Sequence, residues 1–472
     1  MFDPVIAPSG TLLGLLQRGR GDGTLHALAA PRPEALAALN HCVVHDPRHD
    51  WQVENRSLYY ARLYLDLHGS LEEIERHLCD AEDHLDTAET RTGLALAVLG
   101  HLAAYGRGDA LALLRRYAAN GANWEWALDE LALRDDDAGL RALAAPVLAR
   151  FPATPEGDAE LATAVRDAFE PRPWRLWAED PRESVGARIR AAREAGSFDR
   201  WQRQLRPTGP RPGWSVRAVL DWADEGLERG TARHVPAARC LAAVAGPEDL
   251  TDIVLAARLG TDGARSAALH YLADAQEPVV LDLVEEAVTG GSRAVADAAV
   301  AAFERMCGEA AVDRARGWVH RPDALGASAA GVLACRGTAA DAPLVLGALR
   351  ETVRVDGPDA PLLWTLVDGA GRLGIACAAP VLRHVYRETT SSRLRGRAAG
   401  ALAATDPSFA TGFAVECLWD CEETTREVAA LHAETGDVRV AERLRRLAAD
   451  PAEEDEVQSA VRSRLGPDMP MV

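Results

Sequence analysis

The sequence predicts an all-α chain made by repeating one unit, a pair of antiparallel helices. Three observations carry that prediction. Apolar residues recur at three and four positions through most of the chain, which is the helical period. The composition is 48% hydrophobic but only 5% aromatic, which suits close helix packing better than sheets. From residue 237 onward, a small residue followed four positions later by a large one returns at a nearly fixed interval.

Residues 11–45 hold short helical pieces broken by glycine and by Pro31 and Pro33. From Asp50 the pattern becomes regular and predicts helices over 51–67, 70–80, 90–105, 109–119, 123–134 and 138–149, with one more in 151–170. A pair occupies roughly 32 to 36 residues, a repeat spacing. These elements form a first helical region, residues 1–170.

Residues 171–213 differ from what precedes them. Through Arg217 this stretch has eleven arginines against five acids, with Trp174, Trp177, Trp201 and Trp214. It reads as a basic connector with one or two short helices, and RPTGPRPG at 206–213 is the expected boundary.

Residues 214–472 form the second array. Its anchors fall at Ala237/Leu241, Ala268/Leu272, Ala299/Phe303, Ala329/Leu333, Gly369/Leu373, Ala398/Leu402 and Val428/His432. Small residues let helices approach, and the large residue fills the space between pairs. The longest step surrounds RETVRVDGPDAP at 350–361, expected to be an exposed loop. In the last unit Val428, Leu431 and His432 share a face, Gly436 suits a left-handed stop and Asp437 an N-cap. A stripe of Val440, Leu444 and Leu447 follows.

Two segments, LRGRAAGALAATDPSF and TTREVAALHAETGDVRVAERLRRLAAD, resemble HEAT repeats of the phycobilisome-lyase-like type. The resemblance covers about 230–465 and implies an α-solenoid, HEAT-like or armadillo-like, which buries a continuous core only by stacking. Gly369 departs from the small-residue pattern in lacking alanine, and Leu431-His432 departs by being large. Such repeats serve as scaffolds, as bilin lyases and as subunits of larger complexes, so the resemblance implies architecture more than chemistry.

The net charge of −19 opposes nucleic-acid binding, which needs a basic surface. All 52 basic residues are arginine, which excludes a P-loop lysine and a Schiff-base lysine. No G-x-S-x-G, HExxH, G-x-G-x-x-G or paired CxxC motif occurs, so neither a catalytic residue nor a cofactor or metal site is expected. His41, Cys42, His45 and His49 cluster, but Pro47 breaks the helix before His49, and helix-end histidines are the expected reading. Cys240, Cys307, Cys335 and Cys377 read as buried free thiols. No run of about 18 apolar residues predicts a membrane span, and a cytoplasmic location is the default.

Two helices are chemically dense. At 100° per residue Trp51, Gln52, Asn55, Tyr59, Arg62 and Asp66 form one polar strip, and Trp126 and Glu130 form another with Asn123 and Arg134. With the connector arginines Arg188, Arg190, Arg200 and Arg203, these are the expected partner-binding residues. The competing reading of the first strip, and the blander one, is an aromatic core with an ordinary Arg62–Asp66 surface pair. The function expected is a cytoplasmic scaffold or adaptor gripping a protein partner on the concave face of a solenoid. The alternatives are a bilin-lyase-like enzyme or enzyme subunit and a HEAT-like DNA glycosylase.

Overall fold

The structure, a computed structural model, describes residues 6–48, 52–80, 89–203 and 213–465. Helix accounts for 74% of it and the described residues contain no strand, so the all-α expectation holds. In chain order the first helices are α1 Leu12–Gln17, α2 Gly21–Ala29, α3 Arg32–Val44, α4 Ser57–Asp66, α5 Glu72–Leu78 and α6 Glu89–Ala104. Then come α7 Gly108–Asn120, α8 Trp124–Arg134, α9 Asp137–Ala142, α10 Ala144–Leu148, α11 Pro155–Asp167, α12 Arg172–Ala178 and α13 Glu183–Arg203. The second half holds α14 Val216–Glu228, α15 His234–Val244, α16 Leu250–Leu259, α17 Asp262–Asp274, α18 Val280–Gly290 and α19 Arg293–Arg305. It continues with α20 Glu309–Trp318, α21 Ala324–Arg336, α22 Ala342–Asp356, α23 Leu363–Arg372, α24 Ala379–Glu388 and α25 Ser392–Thr405. The last four are α26 Phe413–Cys417, α27 Glu423–His432, α28 Val438–Ala449 and α29 Asp455–Leu465.

Two compact units emerge, and they do not follow chain order. Unit 1 contains residues 1–206, 387–399 and 408–472, and unit 2 contains 207–386 and 400–407. The break at 206/207 falls where proline and glycine concentrate. The final helices, expected to continue the second array, belong instead with the N-terminal ones. Buried charge explains why. Arg395 and Asp420, both fully inaccessible, pair at 2.8 Å, and Arg395 also donates to the Gly19 carbonyl at 3.4 Å. The Cys421 N–H donates to the same carbonyl at 2.9 Å. Leaving either charge unpaired in this interior is costly, which ties Arg395 and residues 420–421 to the α1–α2 turn. Gly21 lets α2 come close there, since a Cβ would overlap the Glu416 carbonyl oxygen.

In unit 2 the first four anchors lie where the pattern puts them, while Leu373 of the fifth is only half-buried at the end of α23. Ala237, Leu241, Ala268, Leu272, Ala299, Phe303, Ala329 and Leu333 are all fully buried. Helices α15, α17, α19, α21 and α23 pack each on the next, and α16, α18, α20 and α22 each pack on the first helix of the following pair. Gly369 replaces alanine for a steric reason. A Cβ there would sit 2.5 Å from the Ala334 Cβ, too close for two helices already in contact.

Four expectations are corrected. Residues 350–356 are helical, because α22 runs fifteen residues before Gly357 turns the chain at φ 85°, so the insertion mostly lengthens a helix. In α27 the buried side chains are Thr425, Arg426, Ala429 and Ala430, while Leu431 and His432 are exposed at the helix end. Gly436 is absent from the left-handed glycines, because α27 already stops at His432, although Asp437 does cap α28 by accepting from the Arg439 N–H at 2.9 Å. Of the four thiols expected to be buried only Cys240 is, and Cys307, Cys335 and Cys377 are exposed.

Candidate functional site

The polar strip expected along residues 51–66 dissolves at its N-terminal end. Helix α4 starts only at Ser57, where Asn55 Oδ1 accepts from the Ser57 N–H at 2.9 Å and its hydroxyl at 2.7 Å. An asparagine side chain that accepts from the N–H two residues on forms a local turn that competes with helix. Gln52 and Asn55 therefore lie in an exposed turn, and Trp51 lies outside the described residues. Tyr59 points the other way. It is 6% exposed, and its hydroxyl donates to the Arg20 carbonyl at 2.8 Å. Arg62 serves the interior of unit 1, pairing with Asp450 at 2.8 Å and Glu453 at 3.1 Å, while Asp66 faces solvent.

The connector arginines are engaged as well. Arg188 bonds Asp158 at 2.7 Å and the Pro152 carbonyl at 2.6 Å, and Arg190 bonds the Ala178 carbonyl at 2.6 Å. The side chains of Arg200 and Arg203 lie outside the described residues. The first part of the connector, α12 and the start of α13, belongs to the core of unit 1. Trp174 and Trp177 on α12 are buried, and the Trp177 indole N–H donates to the Leu140 carbonyl at 2.8 Å. Cys42 is buried, which pushes its thiol up to about 12, and His49 lies outside the described residues. Among the described residues no three His, Cys, Asp or Glu side chains converge to hold a metal.

What remains of both strips comes together at one place. Gln52 and Asn55 from the turn before α4, and Trp126 and Glu130 from α8, line one cavity of about 610 Å³ in unit 1. Helix α8 buries Ala127, Leu128 and Leu131 against the core, which turns Trp126, Asp129, Glu130 and Leu133 toward the cavity. The opposite wall is Ala164 and Asp167 of α11, Phe169 and Glu170 after it, and Trp174 of α12. Trp124 and Trp174 meet edge to face at 6.2 Å and form an apolar wall. Two large apolar side chains stand open at this site, Phe169 at 83% and Leu133 at 59% exposure.

The cavity is strongly acidic. Five of its lining residues carry carboxylates, namely Glu125, Asp129, Glu130, Asp167 and Glu170, and none carries a cation. Burial pushes Asp129 up to about 6, and the neighbouring Glu170 and Glu125 add to the rise. The Glu170 N–H, which donates to Asp129 at 3.1 Å, opposes it without winning. Glu130 rises to about 7. Burial raises it more than its 2.8 Å ion pair with Arg134 lowers it. Glu125 is raised by burial and by Asp167, against a smaller lowering by the Arg150 charge. A shift of one pKa unit corresponds to about 1.4 kcal/mol, and a cation placed between these carboxylates would favour their ionised forms and lower their pKa values again.

Sequence reasoning finds Trp126 and Glu130 but misses Asp129, Phe169 and Trp174. The signal for Asp129 is present in WEWALDEL, where it follows Trp126 by three positions. Phe169 and Trp174 give no periodic signal because they belong to a turn and to a helix of seven residues. Comparisons with family models, with curated proteins and with solved structures find no match for this chain.

Proposed function

We propose that this protein is a non-catalytic binding module, a HEAT-like α-solenoid adaptor that docks a protein partner at the unit 1 cavity. The observation that carries this reading is the combination of open apolar side chains, Phe169 and Leu133, with a concave, aromatic-walled acidic interior. Exposed apolar groups beside a pocket are what an anchor residue of a partner fills. The solenoid part draws support from the recurring contact of each first helix with the next in unit 2. The eight free cysteines favour a reducing, cytoplasmic setting.

Affinity capture from source cells tests the reading. Wild-type protein is compared with Phe169→Asp and Leu133→Asp at the cavity, and with Leu259→Asp, a 74% exposed control on α16. The partner should be lost from both cavity variants and kept by the control. Retention by all three would contradict the assignment.

A further inference from the structure

We infer that the occupant of the unit 1 cavity is an arginine side chain presented by the partner protein, an inference that rests on the reading of this cavity as the docking site. Charge complementarity selects a cation. Five carboxylates face the space and no lining residue is basic. Among the described residues, no arginine pairs with Asp129, Glu125 or Glu170; of the five, only Glu130 and Asp167 have arginine partners, Arg134 and Arg166. The open Phe169 ring at the cavity selects a cation that can also stack. A guanidinium is planar and weakly hydrated, so it lies on an aromatic face while its edge donates two hydrogen bonds to a carboxylate. An ammonium is compact and strongly hydrated and gains less from such a ring.

The chain uses this pairing repeatedly on its own account. Arg150 lies over the Trp124 ring at 5.5 Å, Arg233 over Trp222 at 5.1 Å, and Arg443 over Trp419 at 5.4 Å. Arg134 already sits against Glu130 at the edge of the cavity. A second guanidinium entering past Phe169 would meet Asp129, whose carboxylate has a backbone N–H as its partner and no counter-charge. The raised affinity of Asp129 and Glu130 for protons marks the same deficit of positive charge.

Calorimetric titration of the full chain with three acetylated, amidated peptides, Gly-Ser-Gly-X-Gly-Ser-Gly, tests this directly. X is arginine, its neutral isostere citrulline, or lysine. The arginine peptide should bind, with citrulline at least ten-fold and lysine several-fold weaker. Asp129→Asn keeps an acceptor for the Glu170 N–H and should weaken the arginine peptide at least five-fold. Phe169→Ala, at an exposed position, should weaken it without loss of fold. Equal affinity for arginine and citrulline, or no heat from the arginine peptide at millimolar concentration, would overturn the inference. If partner capture still requires Phe169 while arginine and citrulline behave alike, the ligand class is wrong and the docking site stands. If the arginine peptide binds and partner capture ignores the cavity, the docking reading falls.

Discussion

Arg62 and Glu453, 391 positions apart in sequence, are held 3.1 Å apart in unit 1, with the Glu453 carboxylate fully inaccessible. Arg426 pairs with the same carboxylate at 2.6 Å, and Tyr105 donates to Asp450, the second partner of Arg62, at 2.8 Å. Removing one member leaves buried charge uncompensated, which costs about 3 kcal/mol. Arg62→Ala should therefore lower unfolding stability by about that much in urea titration, far more than an exposed substitution would. Burial alone would raise Glu453, but Arg426 and Arg62 together hold it below the usual carboxylate range. A depressed carboxylate contributes stability above its unfolded pKa and loses it as pH falls through the folded value. The difference between wild type and Arg62→Ala should thus shrink below about pH 4.

Tyr59 offers a simpler test of the same interior. Tyr59→Phe removes one buried hydrogen bond to the Arg20 carbonyl and should cost about 1 kcal/mol. Tyr59→Ala opens a cavity as well and should cost about 3–5 kcal/mol in thermal or urea unfolding. A loss within experimental error for the alanine variant would return Tyr59 to the surface.

Asp129 predicts the opposite pH dependence from Glu453. Its folded pKa, about 6, lies above its unfolded value, so its contribution is fully present below the unfolded pKa and lost as pH rises through 6. Asp129→Asn should leave stability unchanged near pH 4 and raise it at pH 8. Because the group is only half-buried, solvent screening limits the gain to about 1 kcal/mol. The same carboxyls must release protons to bind a cation, so affinity for the arginine peptide should rise between pH 5 and 8. Paired melting curves and titrations at the two ends of this range check both signs.

His270, in unit 2, is 3% exposed, and neither ring nitrogen has a hydrogen-bond partner. Its ring stacks on His234 at 4.9 Å, and burial, His234 and Arg305 lower its pKa to about 4 against a weaker opposing effect from Asp274. The unfolded chain takes up that proton near pH 6.5, so stability falls as pH drops from 6.5 toward 4. His270→Leu should remove the loss and stabilise the protein by about 2 kcal/mol at pH 5, with a smaller effect at pH 8. Equal shifts at both pH values in denaturant titration would refute the titration of His270.

The repeat in unit 2 is legible because each first helix spends its small residue on the next helix, so the steric demand recurs in the sequence. Even Gly369, which breaks the pattern, breaks it where a Cβ has no room. Unit 1 is less legible. A helical wheel places Gln52 and Asn55 on one face with Tyr59, but α4 starts only at Ser57, and Asn55 turns the chain ahead of it by accepting from the Ser57 N–H. Nothing local in Arg62 announces that its carboxylates come from the far end of the chain, nor in Arg395 that it donates to the Gly19 carbonyl. The basic segment reads from its prolines and arginines as a connector, and its composition does not say that Trp174 and Trp177 fill the core and form a wall of the cavity. Trp126 and Glu130 are found because their spacing on one exposed helix edge is a local property.

The most direct measurement places a photo-crosslinking p-benzoylphenylalanine at position 169, where the native phenylalanine is 83% exposed at the cavity, in the presence of the partner. Mass spectrometry then maps the joined peptide. The predicted result is a cross-link to one partner segment beside an arginine, lost when Asp129→Asn is combined with it and absent from the same probe at position 259. Cross-links confined to this chain, or falling on partner segments without arginine, would contradict it.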